Sequence, residues 1–149
     1  MKEILFRGKT REGKWIESCS VFMRGELALM LNERPIKEVI KDKNGEPVDV
    51  IFSFCSVGKN TVGQFTGLTD KNGKKIFEGD IVKREYTLWH GETKKTRETQ
   101  IGCVSYSNKE CGFCLDKVCN LRKPWDGDTL EVIGNIHDNP ELLKELQNG

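Results

Sequence analysis

The stretch VGQFTGLTDKNGKKIFEGDIV, residues 62–82, decides how this chain folds. Two apolar runs, 62–68 and 76–82, flank the polar turn Asp70-Lys71-Asn72-Gly73. Asn-Gly between such runs predicts a β-hairpin with a type I′ turn, whose two central residues both need positive φ. Glu78-Gly79-Asp80 then breaks the second run before it restarts at Ile81-Val82, which predicts a bulge or a sharp corner. Nothing in the stretch supplies a nucleophile, a metal ligand set or a phosphate cradle. It is scaffold.

Working outward, the same grammar recurs. Residues 4–8 and 14–21 read as a hairpin around the polar turn 9–13. Residues 22–31 carry helix formers. Gly25 before and Pro35 after leave only a short apolar run, so a strand is expected. Residues 36–41 and 48–54 flank a second Asp-Lys-Asn-Gly, at 42–45. The sequence around the two copies does not align, so they are turn vocabulary and not an internal repeat. Residues 87–98 turn polar, with an exposed loop or hairpin tip expected at 90–95. Strands are expected at 100–106, 113–118 and 129–136, with Lys123-Pro124-Trp125-Asp126-Gly127 as punctuation. A helix is expected from Pro140, with Asn139 as its N-cap, Glu141 at the positive end of its dipole and Leu142, Leu143 and Leu146 on one apolar side. About ten short strands and one helix predict a mainly β chain: a compact all-β barrel or sandwich-like domain of hairpins with a short C-terminal α-helix. Residues 1–149 are read as one domain, with two tightly associated β subdomains, breaking near 55–62, as the alternative.

Three segments together resemble the YopX family, small proteins of bacterial phages and prophages: EILFRGKTREGKWIESCS at 3–20, TVGQFTGLTDKNGKKIFEGDIV at 61–82 and LEVIGNIHDNPELL at 130–143. They stand in the family's order and span almost the whole chain. The resemblance implies a phage or prophage setting and brings no established activity, ligand or catalytic residue with it.

Composition narrows the remaining classes. With 36% hydrophobic and 32% charged residues, the 149-residue chain is a folded globular protein and not a disordered one. Twenty-four basic against twenty-three acidic side chains leave a net charge of +1, which argues against a protein devoted to duplex DNA. The first residues alternate charged and apolar side chains and lack the apolar core of a signal peptide, and no stretch is apolar enough to span a membrane. The expectation is a cytoplasmic protein whose six cysteines are reduced thiols.

The strongest chemical signal is the cysteine group Cys103, Cys111, Cys114 and Cys119. Four thiolates could hold a tetrahedral zinc ion, but only Cys111-x₂-Cys114 has knuckle spacing. Ordinary reduced cysteines are therefore preferred, and no cofactor is expected. A thioredoxin-like role for Cys111-Gly-Phe-Cys114 would need a helix N-terminus in an α/β context, which the pattern lacks. His90 sits in the polar 87–98 segment, and His137 stands just before the helix, where turn and cap chemistry is the simpler reading. Asp70, Glu78 and Asp80 are too common a combination to mark an acid–base pair.

For nucleic acid, two basic groups carry aromatics: Arg7, Lys9, Arg11 and Trp15, then Lys83, Arg84 and Trp89. Glu85, Glu92 and Glu98 interrupt the second group's surroundings, a pattern more typical of a solvated face. The functional expectation is a phage or prophage accessory or binding protein, non-catalytic, self-associating through exposed strands and with an unknown protein partner. A nucleic-acid-binding β module is the first alternative, and a small-ligand protein or enzyme the second.

Overall fold

A computed structural model describes residues 4–25, 27–90, 94–116, 119–121 and 128–147. Among them are twelve strands, one short helix and three antiparallel sheets. The fold is mainly β, and none of the three sheets closes on itself, so the barrel half of the expectation is replaced by open sheets. The chain divides into two compact units, residues 3–64 and 65–149.

In the first unit, β1 (Phe6–Lys9) and β2 (Trp15–Ser18) form the expected opening hairpin, with Lys9 opposite Trp15. A second sheet runs β3 (Val21–Arg24), β4 (Leu27–Lys41), β5 (Pro47–Gly58) in chain order. A 3-10 turn, Lys59–Thr61, leads into β6 (Gly63–Thr69), whose first residues pair with Arg7 and Phe6. Ile16, Ala28, Met30 and Val57 are the core, with Phe6, Val21, Cys55 and Val62 packed on it. Gly8 permits this closeness: a Cβ there would stand 2.8 Å from both Met30 Sδ and Val57 Cγ2.

Two sequence expectations change here. Residues 22–31 are not one strand; the chain reverses at Gly25, whose φ is +57°. Nor does Pro35 end the strand that follows, since β4 continues to Lys41. Its register against β5 slips between Leu31 and Ile36 and again before Glu38, and such irregular stretches are where a strand tolerates a residue without an N–H.

The second unit takes up β6 from Phe65, then β7 (Lys75–Phe77), β8 (Asp80–His90), β9 (Lys94–Ser107), β10 (Gly112–Leu115), β11 (Cys119–Asn120), β12 (Thr129–Asn135) and helix α1 (Pro140–Gln147). The five-stranded sheet has the order β11-β10-β9-β8-β12. Its core is Ile76, Val82, Val104, Leu115 and Leu130. The polar segment expected to leave the sheet after residue 86 stays in it. Thr87 pairs with Arg97 and Leu88 with Thr96, so most of 87–98 is solvated strand. Gly91, Glu92, Thr93, Val118 and residues 122–127 lie outside the described residues.

The central turn also differs from expectation. Asp70 N donates to Lys74 O (2.8 Å) and Gly73 N to Asp70 O (3.0 Å). Gly73 has φ +80°, whereas Asn72 is not among the positive-φ residues. This is a type I turn closed by a left-handed glycine, a three-residue hairpin loop with a bulge, and not type I′. Residues 10–14 and 42–46 repeat the geometry, with Gly13 at +83° and Gly45 at +85°. The reason is the first side chain. Asp70 Oδ1 accepts from the amides of Asn72 (2.8 Å) and Lys74 (2.9 Å), and Asp42 Oδ1 does the same for Asn44 and Glu46, which favours the right-handed first half of the loop. The Glu78-Gly79-Asp80 corner is present as expected, with Gly79 at φ +79° carrying the chain from β7 into β8. Among the described residues no helix is long and apolar enough to cross a membrane.

Candidate functional site

The polar residues of the second unit meet where the 70–73 turn, the 78–80 corner and the end of β12 come together. Asp70 is buried, and beyond its own turn its Oδ2 accepts from Val132 N at 3.1 Å. Lys71 N donates to Leu130 O (2.8 Å), and Lys71 Nζ lies 2.7 Å from Glu131 Oε2, so the hairpin tip is pinned along β12. Burial pushes the Asp70 carboxyl up, but the amides of Val132, Lys74 and Asn72 outweigh it and hold the group below an aspartate's ordinary value. Asp80 Oδ2 accepts from Phe77 N at 2.8 Å across the corner. Gly79 N donates to Val104 O and Gly79 O accepts from Ile136 N, each at 2.9 Å, tying the corner to β9 and to the chain after β12.

The approach to α1 is built the same way. Asn135 Oδ1 accepts from the amides of His137 and Asp138, both at 2.9 Å, while its Nδ2 donates to Asp138 Oδ2 at 2.7 Å. Asn139, expected as a cap, turns its Oδ1 back to within 3.4 Å of Asn135 N. Gly134 leaves the room for this, since a Cβ there would stand 2.7 Å from that oxygen and 2.9 Å from Leu142 Cδ1. These carboxylates and amides hold backbone together.

The structure spreads the candidate zinc ligands apart in character. Cys111 is exposed in the β9–β10 turn with φ +49°, Cys114 is buried on β10, and Cys103 is half-buried on β9. The side chain of Cys119 lies outside the described residues. Among those described, no three His, Cys, Asp or Glu side chains gather to hold a metal ion. Burial, reinforced by Asp116, Asp80 and Glu78, pushes the Cys103 thiol up to about 11. It is a protonated thiol at neutral pH. Cys111-Gly-Phe-Cys114 runs from a turn into a strand, so no helix dipole lowers either thiol.

Of the basic candidates, Arg7 is buried with its guanidinium 4.8 Å from the Trp15 ring centroid, and Lys9 Nζ lies 5.9 Å from the same ring. Trp15 thus stacks on the chain's own cations. Lys83 Nζ stands 2.9 Å from Glu85, which also lies 3.4 Å from Arg97. Arg84 lies 3.5 Å from Asp128 and 4.9 Å from the Tyr86 ring centroid. Trp89 lies on β8, its side chain outside the described residues, as is that of His90. Arg11 borders a cleft of about 190 Å³ with Thr10, Glu12, Cys55 and Ser56. That is below the roughly 300 Å³ at which small-molecule sites begin.

The family model described as YopX protein matches residues 5–144. The chain belongs to the YopX family. No curated protein and no solved structure gives a significant match.

Within this YopX fold, two of the three signature segments seen in the sequence meet in the second unit. Gly79 is one such meeting point, where a Cβ would lie 3.5 Å from Ile136 and 3.9 Å from His137 Nε2. Two further residues of the YopX chain carry no sequence signal. Asp116, with φ +52°, folds its carboxylate over Gly102 and accepts from Cys103 N at 2.8 Å. A Cβ on Gly102 would collide with that carboxylate.

Proposed function

We propose that this chain is a phage- or prophage-encoded accessory or binding protein, non-catalytic, working in the bacterial cytoplasm as a homo-oligomer with a protein partner. The phage setting follows from the family resemblance. The observation that carries the non-catalytic reading is the use made of Asp70: its two carboxylate oxygens accept from three backbone amides, of Asn72, Lys74 and Val132. A carboxylate so engaged is a structural tie and a poor proton shuttle. Asp80, Asn135 and Asn139 support the same reading, since each has an oxygen directed at a backbone amide. The pairing of Lys83 and Arg84 with Glu85 and Asp128 weighs against a nucleic-acid groove, because each phosphate contact would have to displace a carboxylate.

The test is native mass spectrometry of protein purified without chelators, set against the denatured mass. The expected spectrum is a homo-oligomer of bare chains. A retained oligonucleotide, with binding that weakens steeply as salt rises, would replace this reading by the nucleic-acid one. A retained metabolite would replace it by the small-ligand one, and an excess of one zinc per chain would make the Cys103–Cys119 region a structural site.

A further inference from the structure

Past Met30, β4 leaves its β3 neighbour and runs on with β5 alone as a two-stranded arm, turning at Asp42–Gly45. Two-stranded ribbons are marginal in water and are normally polar on their exposed faces. This one is not. Val39 and Ile40 are adjacent, so they project to opposite faces of the ribbon, and they are 40% and 41% exposed; Val48 is 62% exposed. At the arm's base Phe22 and Phe54, 55% and 43% exposed, meet edge to face at 5.6 Å on the side of the sheet away from Ala28, Met30 and Val57. Among the described residues, no strand pairs with the β4 edge beyond Met30 or with the far edge of β5. Long apolar edges of this kind are templates for further strand pairing.

We propose that this arm is the surface through which the chain self-associates, occupied by the same arm of a second copy. The inference rests on the homo-oligomer reading above and names its contact. Three observations select a second copy. Antiparallel pairing of one edge with its own copy about a two-fold axis matches donors to acceptors without needing any other sequence. The exposed charges at the tip, Lys41, Asp42, Lys43 and Glu46, sum to zero, so two arms meet without net repulsion. The area is also sufficient. Two phenylalanines and three aliphatic residues at these exposures offer on the order of 400 Å² per copy, taking roughly 150–250 Å² for a whole aromatic side chain. Backbone edges and flanking polar atoms bring that toward the ~800 Å² per partner of a standard interface.

The experiment is sedimentation velocity on the full chain over a wide dilution series, for the wild type and for Val48→Lys and Ile40→Lys. The wild type is expected to be an oligomer that dissociates on dilution. Each variant should weaken association at least about ten-fold, since a two-fold contact receives every added charge twice. Circular dichroism checks that the variants stay folded. Should they not, hydrogen exchange on the wild type decides: amides of residues 36–41 and 47–54 should exchange more slowly at high than at low concentration. A wild type that is monomeric throughout overturns both the arm and the homo-oligomer reading. An oligomer indifferent to both charges, or arm amides indifferent to concentration, overturns the arm alone.

Discussion

Asp42 and Asp70 open identical four-residue turns, yet their surroundings give them different weight. Asp42 is exposed and its carboxylate serves only its own loop, whereas Asp70 is buried and also holds Val132. Asp70→Ala would leave three amides without their acceptor, so it should cost about 2–3 kcal/mol in urea unfolding, against less than about 1 kcal/mol for Asp42→Ala. Protonation should act in the same direction. The folded-state pKa of Asp70 is depressed, so its contribution is present above the unfolded-state pKa and is lost as pH falls through the folded one. Wild-type stability should therefore fall more steeply below about pH 4 than that of Asp70→Asn, which has no such group to titrate. An equal slope in the two proteins would remove Asp70 from the acid transition. Cys103 makes a separate residue-scale prediction. Its thiol is raised to about 11, whereas Cys19 and Cys111 are exposed. Limited alkylation at pH 8, read by peptide mass spectrometry, should label Cys19 and Cys111 well before Cys103.

At the scale of elements, the central turn separates what local sequence encodes from what it does not. Asn-Gly between apolar runs correctly announces a hairpin, but the two letters do not choose between loop types. That choice comes from the aspartate two positions earlier, whose side chain bonds to the loop amides and leaves only Gly73 in the left-handed region. Gly73→Ala should therefore cost about 1–2 kcal/mol, and Asn72→Ala well under that. Comparable losses at the two positions, measured by thermal unfolding, would restore the type I′ assignment. Periodicity located the strands of the opening hairpin, of β12 and of α1 because those segments alternate against a core. It underestimated β4, β8 and β9, whose solvated ends gain from cross-strand pairing that a polar composition conceals. Asp116 and Gly102 were illegible for a related reason. The need for glycine at 102 arises from a carboxylate thirteen residues beyond Cys103, placed only once β9 and β10 have paired.

For the molecule as a whole, the sequence motifs mark positions that become neighbours only after folding. Asp70 and Val132 are 62 residues apart in the chain, and nothing near either one announces the bond between them. What the sequence did contain is the material for two cores, and each unit has its own: Ile16, Ala28, Met30 and Val57 in one, Ile76, Val82, Val104, Leu115 and Leu130 in the other. Met30 and Ile76 are both fully buried, so truncating either to alanine leaves a cavity costing about 2–5 kcal/mol. Because packing losses act first on the residues that share the cavity, the damage should be local. In native-state hydrogen exchange, Met30→Ala should accelerate amides within residues 6–64 more than those within 65–147, and Ile76→Ala should do the reverse. If both variants instead accelerate the slowest amides of the two units equally, the cores open only in one global event, and their separation has no energetic counterpart.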